Sequence, residues 1–293
     1  MPKNTAAAEA EVKRRSMFQE SMHRLVQNKL AMTGLFILVI ITVLCLCAGI
    51  ICPEGYDHQD VLNKFVGPCR EYPFGTDSLG RSMLARILYG GRNSLKIGVM
   101  ATAFSGVVGT VLGAVAGFYG GRVDNIIMRT LDIFSAIPNM LMAIAVSSAL
   151  GGGLINCIIA IAISGTPQIA RTVRAPILAV KEQEYVEAAR EIDASDARII
   201  FRHVLPNVLS PLIVTLTSQV AASILVATAL SFLGLGIQPP EPEWGALISN
   251  SRQYIREYPF LVTFPGLAIA LTVLSMNLFG DGLRDALDPK LKN

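Results

Sequence analysis

An all-α, polytopic membrane protein with six transmembrane helices is the fold class this sequence predicts, on three observations. The 293 residues are 52% hydrophobic and 16% charged, whereas about a quarter of the residues in soluble domains carry charge. Mean hydropathy is +0.50. The charges gather between long uncharged runs, and those runs have the length of about 20 residues that a helix needs to cross a hydrocarbon layer about 30 Å thick.

The first run, 30–52, follows a polar and partly basic arm over 1–29, so it reads as a retained span and not as a cleavable leader. The second covers 97–121. The stretch 133–170 has no charged residue and is too long for one crossing, and Gly151, Gly152 and Gly153 mark the turn between spans three and four. The run 204–240 supplies the fifth span, ending at Pro239 and Pro240, and 260–280 the sixth.

Six crossings leave both termini on one side, and basic residues decide which side. Lys13, Arg14, Arg15, Arg24 and Lys29 precede span one; Arg171, Arg174, Lys181, Arg190, Arg198 and Arg202 separate spans four and five; Arg284, Lys290 and Lys292 follow span six. All fall inside in one topology, N-in and C-in. The expected organisation is therefore a cytoplasmic arm over 1–29, a first helix over 30–52 and an extracytoplasmic segment over 53–92. A core of five helices over 93–283 follows, with a cytoplasmic loop at 171–207, and 284–293 form the tail.

Within span two a small residue recurs at every fourth position: Ala101, Ser105, Gly109, Gly113 and Gly117. Such a stripe lets another backbone approach closely, and a seam inside this bundle is the expected use. Pro138, Pro167, Pro211 and Pro265 are expected to kink their helices. Ser218 and Gln219 in span five are expected to make interhelical hydrogen bonds.

Chemistry of other classes finds little support. The 25 basic and 22 acidic residues nearly cancel and form no basic stripe, so nucleic acid is not an expected partner. The spans hold almost no ionisable residue that would carry a proton or sodium coupling site; Asp132 and Asp281 sit at span edges. No G-x-x-x-x-G-K-[ST] loop, G-x-S-x-G elbow or H-E-x-x-H pair occurs, so neither ATP binding nor hydrolase chemistry is expected of this chain. None of the five cysteines has a histidine at zinc-site spacing. Cys45, Cys47 and Cys157 read as small apolar fillers, and the sequence leaves open whether Cys52 and Cys69, which bracket the outer loop, form a disulfide.

The most informative stretch is 181–207. Residues 181–192 favour helix and place Tyr185, Ala188, Ala189 and Ile192 on or near one face. A second short helix is expected to start with Ser195 as N-cap and Asp196 at its positive end, and to stop before Pro206. Two helices on the cytoplasmic face, too polar for lipid, suggest a docking element and an energy source on another chain.

The run E-A-A-R at 187–190, followed by R-H-V-L-P-N at 202–207, resembles the EAA loop of binding-protein-dependent ABC importer permeases. That resemblance implies a coupling helix that fits a cleft on an ATPase subunit, carried by Tyr185, Glu187, Ala188, Ala189, Arg190 and Ile192, then Asp193 and Ser195, with Leu205, Pro206 and Asn207 closing the motif. Where that family normally has glycine, this chain has Asp193; a left-handed turn is expected there, which aspartate tolerates better than most residues.

Two more matches narrow the subfamily to the dipeptide, oligopeptide and nickel permeases. P-F-G-T-D at 73–77, then Gly80, Arg81, Arg86, Tyr89, Gly90 and Arg92, look like the segment before span two, with Ser82 where an aspartate is frequent. Leu79, Met83 and Ile87 give that segment an apolar stripe, with Arg81, Arg86 and Arg92 on a polar side, so it reads as an amphipathic surface helix. F-G-D-G-L-R-D at 279–285 and Leu287, Asp288 and Pro289 also resemble this family.

The resemblance implies a type I importer in the bacterial inner membrane, with membrane lipid as solvent. Its expected partners are a second homologous permease, two ATPase subunits holding ATP and Mg, and an extracytoplasmic solute-binding protein; no cofactor is expected on this chain. Three readings stand in descending order: a peptide importer permease, a nickel or metallophore importer permease, and a secondary transporter or channel. Substrate identity and the pore-lining residues are not legible.

Overall fold

The computed structural model describes residues 17–287. Twelve helices make up the described chain, with no strand among the described residues: α1 Met17–Gln27, α2 Lys29–Leu46, α3 Ala48–Ile51, α4 Met83–Tyr119, α5 Gly121–Ser135, α6 Asn139–Leu150, α7 Leu154–Val180, α8 Glu184–Glu191, α9 Asp196–Ile199, α10 Leu205–Phe232, α11 Trp244–Ser251 and α12 Phe260–Leu287. Lys13, Arg14, Arg15, Asp288, Pro289, Lys290 and Lys292 lie outside the described residues.

Five of these stretches are long and apolar enough to cross a bilayer: α2, α4, α7, the continuous helical rod Asp196–Phe232, and α12. α5 and α6 together are long and apolar enough for a sixth crossing when the pair, bent by 86° at its break, is taken as one broken span. Gly151 and Gly153, at φ 86° and 130°, make the turn into α7, as the triple glycine predicts.

Both described ends meet on one side. A Cβ on Gly282 would lie 2.2 Å from the Ala31 Cβ, and Leu25, Ala31 and Ala286 form a small core there. At the opposite end Gly91 sits against the Cys45 thiol and the Trp244 ring, and Trp244, fully buried, donates its indole N–H to the Ile87 carbonyl at 2.9 Å.

The small-residue stripe is the seam along which α4 and α7 pack, inside this bundle. A Cβ at Gly109 would come within 2.8 Å of Ile169, at Gly113 within 2.4 Å of the Ala170 carbonyl oxygen, and at Gly117 within 2.8 Å of Ile177. Backbones this close gain dispersion contacts where lipid offers no hydrophobic drive.

The outer segment differs from the amphipathic-helix expectation. Leu79 precedes the helix, and α4 runs from Met83 through the membrane as one rod of 37 residues, so no separate surface helix exists. Nor does Arg86 lie on a polar face. It is buried and donates to Asp77, which also accepts from Arg81 Nε at 2.8 Å and from the backbone N–H groups of Leu79 and Arg81. Arg92 donates to the Cys45 and Leu46 carbonyls at 2.7 and 2.6 Å, satisfying the C-terminal end of α2. Cys52 and Cys69 are free thiols; aromatic stacking of Phe65 on Tyr258 and of Phe74 on Phe264, each at 4.4 Å, holds this segment to the bundle instead.

Candidate functional site

The cytoplasmic loop is built from α8, α9 and a widened π turn over Ile200–Val204 that runs on into α10. The second short helix does not stop before Pro206. Pro206 occupies the first turn of α10, where its missing N–H costs least, and the π turn ahead of it lets the chain continue as one rod. Ser195 stands at the N-cap of α9 with extended backbone, but its hydroxyl makes no capping bond.

α8 has two faces. Val186 and Ala189 are buried in a core with Phe118 of α4, Val173 and Ile177 of α7, and Val208 and Leu212 of α10. Tyr185, Ala188 and Ile192 face outward at i, i+3 and i+7, with Tyr185 43% and Ile192 79% exposed. The expected single face of Tyr185, Ala188, Ala189 and Ile192 is therefore split, and Ala189 belongs to the anchor. Val186, three residues before Ala189, is the residue that sequence reasoning missed. Its signal was the i, i+3 spacing of small or branched apolar side chains, Val186 and Ala189, between glutamates.

The end of α8 closes in a left-handed cap. Asp193 has φ 53°. Its N–H donates to the Arg190 carbonyl at 3.0 Å, and the Ala194 N–H to the Ala189 carbonyl at 3.1 Å, the paired bonds of a Schellman motif. Arg190 lies 5.4 Å over the Phe118 ring. Glu187 is exposed on the outward side. Asn207, at the end of the sequence motif, donates to the Tyr185 hydroxyl at 3.2 Å and to the His203 carbonyl at 2.7 Å, tying α8 to the start of α10.

Beside this loop an open cleft of about 920 Å³ runs along one face of α10, with Gln168 of α7 and Arg284 of α12 at its edges. Its wall carries Asn207, Ser210, Thr215, Ser218 and Gln219. Thr215 and Ser218 donate to carbonyls of their own helix, at 2.9 and 3.3 Å, and not across to another helix as the sequence suggests for Ser218. Val214, Ala222 and Leu287 line it as well, and its polar stripe suits a water-filled path or a partner subunit better than lipid.

Among the described residues no group of three His, Cys, Asp or Glu side chains is placed to hold a metal.

Residues 109–293 match the family described as binding-protein-dependent transport system inner membrane component. The chain belongs to this family. Residues 16–68 match the N-terminal transmembrane domain of oligopeptide transport permease C. The chain is 44% identical over 278 residues to the dipeptide transport system permease protein DppC of Alkalihalophilus pseudofirmus, covering 95% of this chain and 91% of that protein. It is 44% identical over 283 residues to the glutathione transport system permease protein GsiD of Pectobacterium atrosepticum, covering 95% and 93%, and 45% identical over 281 residues to GsiD of Escherichia coli O6:K15:H31, covering 95% and 92%. Among solved structures, the inward-facing MetNI methionine ABC transporter superposes with a TM-score of 0.57 at 18% identity, covering 70% of this chain and 98% of that one. That likeness carries the fold alone; the family match and the dipeptide and glutathione relatives make this an ABC importer permease of the inner membrane, and the secondary-transporter or channel reading is set aside.

Proposed function

We propose that this permease forms one half of the translocation path of an ATP-driven importer of short peptides, and that the segment 171–207 couples it to ATPase subunits through α8. The observation that carries the coupling reading is the two-faced build of α8. Its outward face is free to seat in another protein, while Val186 and Ala189 lock it to α4, α7 and α10 at once. Displacing α8 therefore displaces three membrane helices, because a packed core transmits strain and does not absorb it. Tyr185, Glu187, Ala188, Arg190 and Ile192 would meet the ATPase; Ala189 and the Asp193 turn would hold the helix in register; Ser195 starts the rod that continues as α10.

The peptide reading rests on the dipeptide and glutathione relatives and ranks above nickel or a metallophore. ATP and Mg belong on two ATPase subunits, a second homologous permease supplies the other half of the path, and a solute-binding protein delivers substrate. The test is uptake of radiolabelled dialanine by the reconstituted complex in proteoliposomes. Uptake is expected only with ATP and binding protein together. Uptake driven by this chain alone, without ATP, contradicts the proposal.

A further inference from the structure

At the outer end of the bundle a second open cleft of about 700 Å³ lies between α4, the start of α7 and the loop after α10. It falls within the range of small-molecule sites. Its polar lining is Asn93, Lys96, Asn156, Gln238 and Glu241.

The three amides are all held by their NH2 groups. Asn93 Nδ2 donates to the Pro242 carbonyl at 2.9 Å, Asn156 Nδ2 to the Leu150 and Gly151 carbonyls at 2.9 and 3.1 Å, and Gln238 Nε2 to the Gly234 and Gly236 carbonyls at 3.0 Å. A backbone carbonyl only accepts, so chemistry fixes which end of each amide is turned away. What remains for a ligand is three side-chain oxygens and one Asn93 N–H, an array made mostly of acceptors. The bonds also make the array rigid, and Gly153 N–H to Gly236 carbonyl, at 2.9 Å, clamps the α6–α7 turn to the loop after α10.

Lys96 and Glu241 complete the lining. Both are exposed, and neither has an ion-pair partner among the described residues. Lys96 is the last charge before the uncharged run 97–121, and Glu241 the first after 204–240, so both stand at the outer membrane boundary. Both therefore stand hydrated and free at the mouth of the cleft, where each can meet a charged group of opposite sign.

One cation, one anion and an array made mostly of acceptors match a short chain with a free carboxylate at one end, a free ammonium at the other and N–H donors between. We infer that this cleft receives the two charged termini of a short peptide as it leaves the binding protein, Lys96 taking the carboxylate and Glu241, with the amide oxygens, the ammonium. The inference rests on the peptide-import reading and deepens it. The cytoplasmic cleft differs in its charges, since Arg284 is among the residues that line it and no acidic side chain is.

The test uses the full complex in proteoliposomes, with dialanine as probe, titrating the loaded binding protein against Lys96→Gln, Lys96→Arg and Glu241→Gln. Because both residues are exposed, melting temperatures should match the wild type. The expected result is a maximal uptake rate lowered about tenfold or more in Lys96→Gln and Glu241→Gln, the worth of one charge-assisted hydrogen bond, with the half-saturating binding-protein concentration unchanged and Lys96→Arg near wild type. Unchanged rates overturn the inference and leave peptide import standing. A raised half-saturating concentration at an unchanged maximal rate also overturns it, since the pair would then dock the binding protein. If the wild-type complex moves no dialanine with ATP, the import reading fails and the inference falls with it.

Discussion

Asp193 shows how far one residue can be read and where the reading stops. Its place after an alanine-rich helix, at the point where the loop it resembles is expected to have glycine, predicts a left-handed turn, and φ 53° is what the structure has. An L-residue held there costs about 1–2 kcal/mol, less for aspartate, while glycine loosens the unfolded chain by a similar amount. Asp193→Gly is therefore expected to leave thermal stability unchanged or raise it by up to about 1 kcal/mol; a clear fall in melting temperature would count against the turn. Arg86 was not legible in this way. A basic residue ahead of a span reads as solvated, because nothing local announces that Asp77, nine residues earlier, folds back onto it. Burial pushes the Asp77 carboxyl up, but Arg86, Arg81 and two backbone N–H groups outweigh it and hold it below the ordinary carboxylate value. With the folded value depressed, this contribution to stability is present above about pH 3.9 and is lost as external pH falls from there through the folded value. Asp77→Asn leaves Arg86 buried without its counter-charge, a loss of about 3–5 kcal/mol, and the variant should melt well below wild type while losing the acid step.

At the scale of elements, periodicity carried most of the information. The uncharged runs place five crossings and the triple glycine places a turn, while the run from 133 falls on the bent pair α5 and α6, whose first helix is charged. The ends of helices were less accessible. α4 starts at Met83, well before its apolar run, because Ser82 accepts from the Ala85 N–H as N-cap and the protein cover of Trp244 and Leu247 replaces lipid there. The rod through Pro206 was hidden because proline usually stops a helix and a π turn leaves no simple signature. The α4–α7 seam gives the sharpest test. Gly113→Ala would set a methyl group against the Ala170 carbonyl oxygen, and a cost of about 1–3 kcal/mol is expected for such overpacking. Gly266, inside α12, has open space around it, so Gly266→Ala should be neutral or stabilising by about 0.5–1 kcal/mol. Thermal melting in detergent separates the two; equal effects would contradict the seam.

For the whole molecule, the sequence carries the class and the membrane topology, and the structure adds how the two sides are joined. The outward stripe of Tyr185, Ala188 and Ile192 could be found by helical spacing, but its separation from Val186 and Ala189 depends on where α4, α7 and α10 converge, which is a tertiary fact. In the coupling proposal that convergence would make α8 a lever on half a transport path: a small apolar key on the cytoplasmic side, packed against helices whose far ends border the outer cleft. The central claim is that another subunit supplies the energy through this lever. Its most direct measurement is to tag the chain in its native membrane, solubilise it gently, and identify by mass spectrometry what copurifies with wild type and with Glu187→Arg. The account predicts that P-loop ATPases and a second permease come with the wild type, and that the ATPases alone are lost from the variant. ATPases retained at wild-type level by the variant, or absent from the wild type in several mild detergents, would contradict it.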